Sequence, residues 1–248
     1  MAGQRESEES RVQLTSMGFL DHLEELRHRL LKSVVAVVVM AFVAFAFKER
    51  LMEFVVLPFG DQKLHNMEVT GAFYAYLKVS LISGVVASLP IVFYQMWAFV
   101  SPGLYRRERL LFVPLVAFST LLFVLGAGFC YLVVLPLALE FLTGFSGELL
   151  TNYITIGSYI SFAGLLLLAF GFGFQMPIVA YFLARANLIT AAFLAKGRRY
   201  AIIAILVAGA IITPPDVFTQ VLLAIPLYIL YEISIIVVRT VQAKTEQH

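Results

Sequence analysis

Six long apolar runs separated by short polar stretches constrain this chain more than any motif: about Leu30 to Phe47, Ala72 to Val100, Leu110 to Leu137, Gly157 to Leu183, Tyr200 to Ile212 and Val217 to Val238. A helix needs about 20 apolar residues to cross the hydrocarbon core of a bilayer, and a globular core does not call for runs of that length. The chain is 60% hydrophobic and 14% charged, whereas a soluble domain is about half apolar and about a quarter charged. The expectation is an all-α polytopic membrane protein of six transmembrane helices, bent into a concave bundle with an external cap. Its domain organisation reads as a disordered tail over 1–18, a membrane domain over 19–240 and a short tail over 241–248.

An even number of spans puts both termini in one compartment, and Arg and Lys counts decide which. Fourteen of the 18 lie on the terminal side, including Arg27, Arg29, Arg106, Arg107, Arg109, Arg198, Arg199 and Arg239. The opposite side has Lys48, Arg50, Lys63 and Lys78. By the positive-inside rule both termini are cytoplasmic. The first residues carry Glu6, Glu8 and Glu9 beside Arg5 and Arg11, unlike the cationic start of a cleaved leader.

Pro90, Pro114, Pro136, Pro177 and Pro226 each remove an amide donor, so several spans should bend. Ser80, Gly84 and Ser88 repeat every four residues, as do Ala169 and Gly173, which suits close helix approach. The fifth run, at about 1.5 Å per residue, reaches only about 20 Å and ends in TPPD, so its hairpin should stay below the outer surface where the bilayer thins. Lys48 to Thr70 reads as an interfacial helix followed by a loop.

The sequence excludes several chemistries. His22, His28, His65 and His248 all fall outside the runs, and HExxH and GxxxxGK[ST] patterns are absent, which argues against intramembrane hydrolysis and nucleotide-driven transport. Cys130 is the only cysteine, so an intrachain disulfide and a cysteine metal cluster are excluded. No cofactor or metal is expected, and nucleic acid is an unlikely partner. The deep polar residues are Gln175 and Glu232, and Lys78 should snorkel from the second span.

Glu25 in HLEELRHR and Glu108 in SPGLYRRER sit in the most basic short segments, each at the start of an apolar run and on the same side. Such an arrangement suits capture of a basic peptide by charge-assisted, bidentate hydrogen bonds to guanidinium. Glu25 also lies four residues before Arg29, so a local surface pair is the competing reading. Asp21 and Glu24 read as solvated or locally paired.

The chain resembles the TatC family, the multi-span receptor subunits of the twin-arginine translocase. The resemblance rests on HLEELRHRL at His22 to Leu30, LPIVFYQMWAFVSPGLYRRER at Leu89 to Arg109, YLVVLPLALEF at Tyr131 to Phe141, FGFGFQMP at Phe170 to Pro177 and TPPDVFTQVLLAIPLYILYEI at Thr213 to Ile233. It implies binding of the twin-arginine signal peptides of folded proteins, and export driven by the proton motive force with single-span TatA/TatB-type partners. Self-association and lipid contact belong to the same picture.

By resemblance Glu25 and Glu108 are the recognition acids, with Arg27 and Phe99 on the same surface. Thr213 and Gln220 fall where partners dock, and Pro58, Tyr131 and Asp216 where the cap and bundle are set. The bland readings are phosphate contact for Arg27, core packing for Phe99, loop stiffness for Pro58, hydroxyl satisfaction for Tyr131 and turn capping for Asp216. Gln175 departs from the family's pattern, where relatives carry glutamate. A rival reading, an independent proton-coupled carrier of a small cation, could also use Glu25 and Glu108; a membrane enzyme ranks third.

Overall fold

A computed structural model describes residues 2–60, 64–100, 112–144, 153–213 and 216–245, with the backbone alone for 2–20, 100, 112 and 244–245. Among them every regular element is helical: α1 (Ala2–Ala46), α2 (Lys48–Val56), α3 (Gly71–Val100), α4 (Phe112–Phe129), α5 (Leu135–Thr143), α6 (Ile156–Gly173), α7 (Met176–Arg185), α8 (Ala191–Lys196), α9 (Arg198–Ile212) and α10 (Val217–Thr245). A 3-10 turn, Leu57–Phe59, follows α2, and a π turn, Cys130–Val134, joins α4 to α5. Five stretches are long and apolar enough to cross a membrane: Asp21–Ala46, Gly71–Phe99, Val113–Thr143, Ile156–Arg185 and Val217–Ala243. The 15 residues of α9 rise about 22 Å, short of a core of about 30 Å.

The helix ends overshoot the apolar runs. The backbone of α1 is helical from Ala2, through the segment that composition assigns to a disordered tail, and α10 continues to Thr245. Beyond Gly3 neither terminal segment holds a proline, and both are rich in Glu, Gln, Arg, Val and Lys, most of which sit comfortably in a helix.

Prolines mark where the spans break. Pro177 lies in the first turn of α7 and cannot donate to the Gly173 carbonyl, so the fourth apolar run divides into α6 and α7 at Phe174 and Gln175. Pro136 likewise opens α5 after the π turn. Pro90 and Pro226 stay inside α3 and α10.

The core joins Ala75 and Val79 of α3, Tyr159, Ile160, Leu166 and Phe170 of α6, and Leu223, Leu227 and Leu230 of α10. Along the apolar stretch of α1, Ala44 alone is buried, and Leu30, Val35, Val39 and Phe42 stand open, as lipid-facing residues would. This helix is held chiefly against α3, where a Cβ on Gly84 would lie 2.5 Å from the Ala41 Cα. Gly173 meets the Leu227 side chain in the same manner, which places α6 on α10.

Gly84→Ala is therefore expected to force α1 off α3 and to cost about 1–3 kcal/mol, whereas Gly128→Ala, where a Cβ meets nothing within 4 Å, leaves stability unchanged. Thermal unfolding of both variants in detergent checks the contrast, and equal midpoints would show that the Gly84 contact is not tight.

Candidate functional site

Midway along α1, near the start of its membrane-length stretch, Glu25 is half-buried and accepts two hydrogen bonds on Oε1 from Arg29, from Nε at 2.9 Å and from Nη2 at 2.5 Å. Among the described residues its Oε2 has only the His22 Nδ1 near it, at 3.8 Å, beyond hydrogen-bond range. The His22 ring stacks on Phe99 with centroids 4.4 Å apart and planes 16° apart. That contact ties the middle of α1, where its membrane-length stretch begins, to the last turn of α3 and brings Glu25 near Phe99. Arg27, Asp21 and Glu24 are exposed. Glu108 lies outside the described residues.

At the opposite end, two tyrosines fasten α2. The last carbonyls of a helix have no partner within it. The Tyr131 hydroxyl donates to the Phe54 carbonyl at 2.5 Å, and the Tyr159 hydroxyl to that of Val55 at 2.6 Å. Tyr131 also stacks on Phe54, and Tyr159 tilts against Phe59, which the 3-10 turn containing Pro58 drives into the core. Tyr131 thus comes from the sequence list, while Tyr159 was missed. Its hydroxyl reaches a residue 104 positions away, and no local pattern announces such a contact.

Gln175 caps α7 at the break in the fourth span and is buried at 6% exposure. Its Nε2 donates to the Ser119 carbonyl at 3.1 Å, while its Oε1, also buried, has no hydrogen-bond partner. Ser119 Oγ in turn accepts from Trp97 Nε1 at 3.0 Å. One serine therefore links α3, α4 and the α6–α7 break.

The α9–α10 hairpin carries the remaining sequence candidates. Asp216 accepts from the Thr219 amide at 2.7 Å and from the Thr219 hydroxyl at 2.5 Å, which is the capping role. Gln220 Nε2 donates to the Leu206 carbonyl at 2.9 Å, across to α9. Thr213 is buried, and its hydroxyl bonds the Gly209 carbonyl at 2.9 Å. Gln220 packs over Gly209, so Thr213 and Gln220 flank one small residue. Deeper along α10, Glu232 holds Arg198 through two bonds of 2.6 and 2.9 Å and accepts from the Tyr228 hydroxyl at 2.8 Å. Among the described residues no group of three His, Cys, Asp or Glu side chains converges to hold a metal.

A helical polytopic membrane protein, with an amphipathic cap helix and a shortened hairpin, is the class these features define. A family profile described as Sec-independent protein translocase protein (TatC) matches residues 21–226. The Sec-independent protein translocase protein TatC of Desulforapulum autotrophicum is 45% identical over 233 residues, 92% of this chain and 86% of that one. Its counterpart from Aquifex aeolicus is 44% identical, covering 88% and 93%. A solved structure described as the twin arginine translocase receptor TatC superposes with a TM-score of 0.83 at 44% identity, covering 89% of this chain and 99% of that one. The chain belongs to the TatC family, whose members are translocase components rather than enzymes.

Removing both tyrosine hydroxyls, in Tyr131→Phe with Tyr159→Phe, leaves two α2 carbonyls unpaired at a cost of about 1 kcal/mol each. Amide hydrogen exchange across Lys48–Val56 should accelerate in the double variant while α6 stays protected; unchanged exchange would show that the cap is held by packing alone.

Proposed function

We propose that this chain is the signal-peptide receptor and core subunit of a twin-arginine translocase, recruiting folded cargo and assembling single-span TatA/TatB-type partners for export driven by the proton motive force. The observation that carries the recognition site is Glu25: one oxygen is held by Arg29, the other has no hydrogen-bond partner among the described residues, and the carboxylate lies beside His22, whose ring stacks on Phe99. A solvent-accessible i,i+4 pair of this kind contributes only a few tenths of a kcal/mol. An incoming guanidinium can therefore take the second oxygen, or replace Arg29, with little loss. Glu108 supplies the second acid, and Arg27 flanks the site.

In this reading both termini are cytoplasmic, residues 19–240 form the membrane domain, and α9 counts as a sixth, short span of a multi-pass protein of the inner membrane. The bilayer thins over the α9–α10 hairpin, and partners dock beside Thr213 and Gln220. An independent cation carrier gains nothing from the geometry, because the deep group at 175 is an uncharged amide and Glu232 is occupied by Arg198 and Tyr228.

The test is binding of a synthetic signal peptide to membranes containing the protein, with paired arginines against paired lysines, repeated with Glu25→Ala and Glu108→Ala. Lysine keeps the charge but lacks the planar fork. Binding should prefer arginine and weaken about tenfold or more in each variant, since a charge-assisted pair in such a site is worth about 1.5–3 kcal/mol; indifference to the arginines and to both acids would remove this site.

Gln175→Leu removes the donor to Ser119 but also the unpaired Oε1, so thermal stability should move by less than about 1 kcal/mol. Export of a reporter cargo should fall more in Gln175→Leu than in Gln175→Glu, whose neutral carboxylic acid can donate the same bond. Equal export in both would show that polarity at 175 is irrelevant.

A further inference from the structure

A polar pocket of about 600 Å³ opens at the end of the molecule that holds α2, between the start of α3 and the start of α6. Its walls include His65, Glu68, Tyr74, Lys78, Ser158 and Ser161. Lys78 lines it as an exposed side chain, and its ammonium donates to Ser161 Oγ, also exposed, at 2.7 Å. Ser161 passes its own proton to the Gly157 carbonyl at 2.8 Å, so its oxygen is fixed as an acceptor facing the lysine. An ammonium has three donors, and this contact uses one. Among the described residues no carboxylate lies within ion-pair distance of Lys78. The acid in the wall, Glu68, is exposed near the rim.

Position restricts what can neutralise this cation. Lys78 lies seven residues into α3, about 10 Å along a membrane-length helix. A lysine at such depth ordinarily bends its stem towards water, and here the exposed ammonium also reaches across to Ser161 of α6 on the wall of the pocket. The same helix faces continue past it with Leu81 and Leu165, one turn further along and both exposed. Polar pocket and apolar flank thus follow one another in the order of a phospholipid's headgroup and acyl chains. Two segments build the wall: His65 bridges Thr155, its amide donating to the Ile154 carbonyl and its carbonyl accepting from the Ile156 amide. Thr155 and Ser158 bond each other's hydroxyls at 2.7 Å, which leaves the remaining lone pairs and rotors of the wall to adapt to a ligand.

We propose that this pocket binds a phosphate group, that of an anionic phospholipid, with Lys78 as its counter-charge and Ser161 setting the position of the ammonium. The site is separate from the Glu25 end, and it does not depend on which compartment the pocket faces.

Native mass spectrometry of the full chain released from detergent, titrated with phosphatidylglycerol, tests it. One cation near a lipid headgroup is worth about 1 kcal/mol, or about fivefold in affinity. The first lipid should bind about fivefold more weakly to Lys78→Gln, and as tightly to Lys78→Arg as to the original chain. Ser161→Ala, which keeps the charge and loses the acceptor, should fall between them. If inorganic phosphate at millimolar concentration displaces the lipid from the original chain but has no effect in Lys78→Gln, the phosphate site stands and soluble phosphate is a second source for it. Equal lipid affinity in the original chain, Lys78→Gln and Ser161→Ala would overturn the proposal.

Discussion

In hydrocarbon a backbone amide or carbonyl without a partner costs several kcal/mol, so a chain of this kind is secure only where its helices run unbroken. This protein breaks them repeatedly, at the end of α2, at the Cys130–Val134 π turn, at Phe174 and Gln175 and at the α9–α10 hairpin. Polar side chains gather at those breaks. Tyr131 and Tyr159 cover the last carbonyls of α2, Gln175 spans the gap between α6 and α7 to reach α4, and Gln220 crosses from α10 to a carbonyl of α9. Residues that read as scattered candidates in the sequence therefore share one physical duty, which is to hold an irregular backbone in a medium that offers no water.

Sequence reasoning reached the spans because apolar length is a local property. It also located two of the breaks, at Pro136 and Pro177, because proline declares its missing donor, while Pro90, Pro114 and Pro226 stay inside their helices. The capping role of Asp216 was legible for the same reason, since its partner Thr219 is three residues away. Contacts across the chain were not. Nothing in the neighbourhood of Tyr159 indicates α2, and nothing around Ser119 indicates that it accepts from Trp97 while its carbonyl receives Gln175. Composition says little about the backbone of the polar tail, because polarity excludes a packed core without excluding a helix.

The acid at position 25 shows how a local pair is compatible with the recognition role proposed for it. Arg29 draws Oε1 along the helix, which fixes the carboxylate's rotamer without saturating it. The His22 ring, stacked on Phe99, stands 3.8 Å from the other oxygen. A carboxylate held in this way loses less side-chain freedom on binding than a free one, and a partner that must align a planar fork benefits most from an acceptor already oriented. The weak local pair and the functional reading are thus compatible, the first preparing the geometry for the second.

Position 175 carries the opposite lesson. A glutamate there would have to stay protonated in order to donate to the Ser119 carbonyl, and each change of its protonation state would make or break the link between α4 and the α6–α7 break. Glutamine makes the same bond permanently and leaves Oε1 buried without a partner. An orphaned buried amide oxygen is costly where nothing approaches it, but it becomes an acceptor for any donor that enters the break. In this chain the site can therefore respond to an inserted hydrogen-bond donor, and it cannot respond by taking up or releasing a proton.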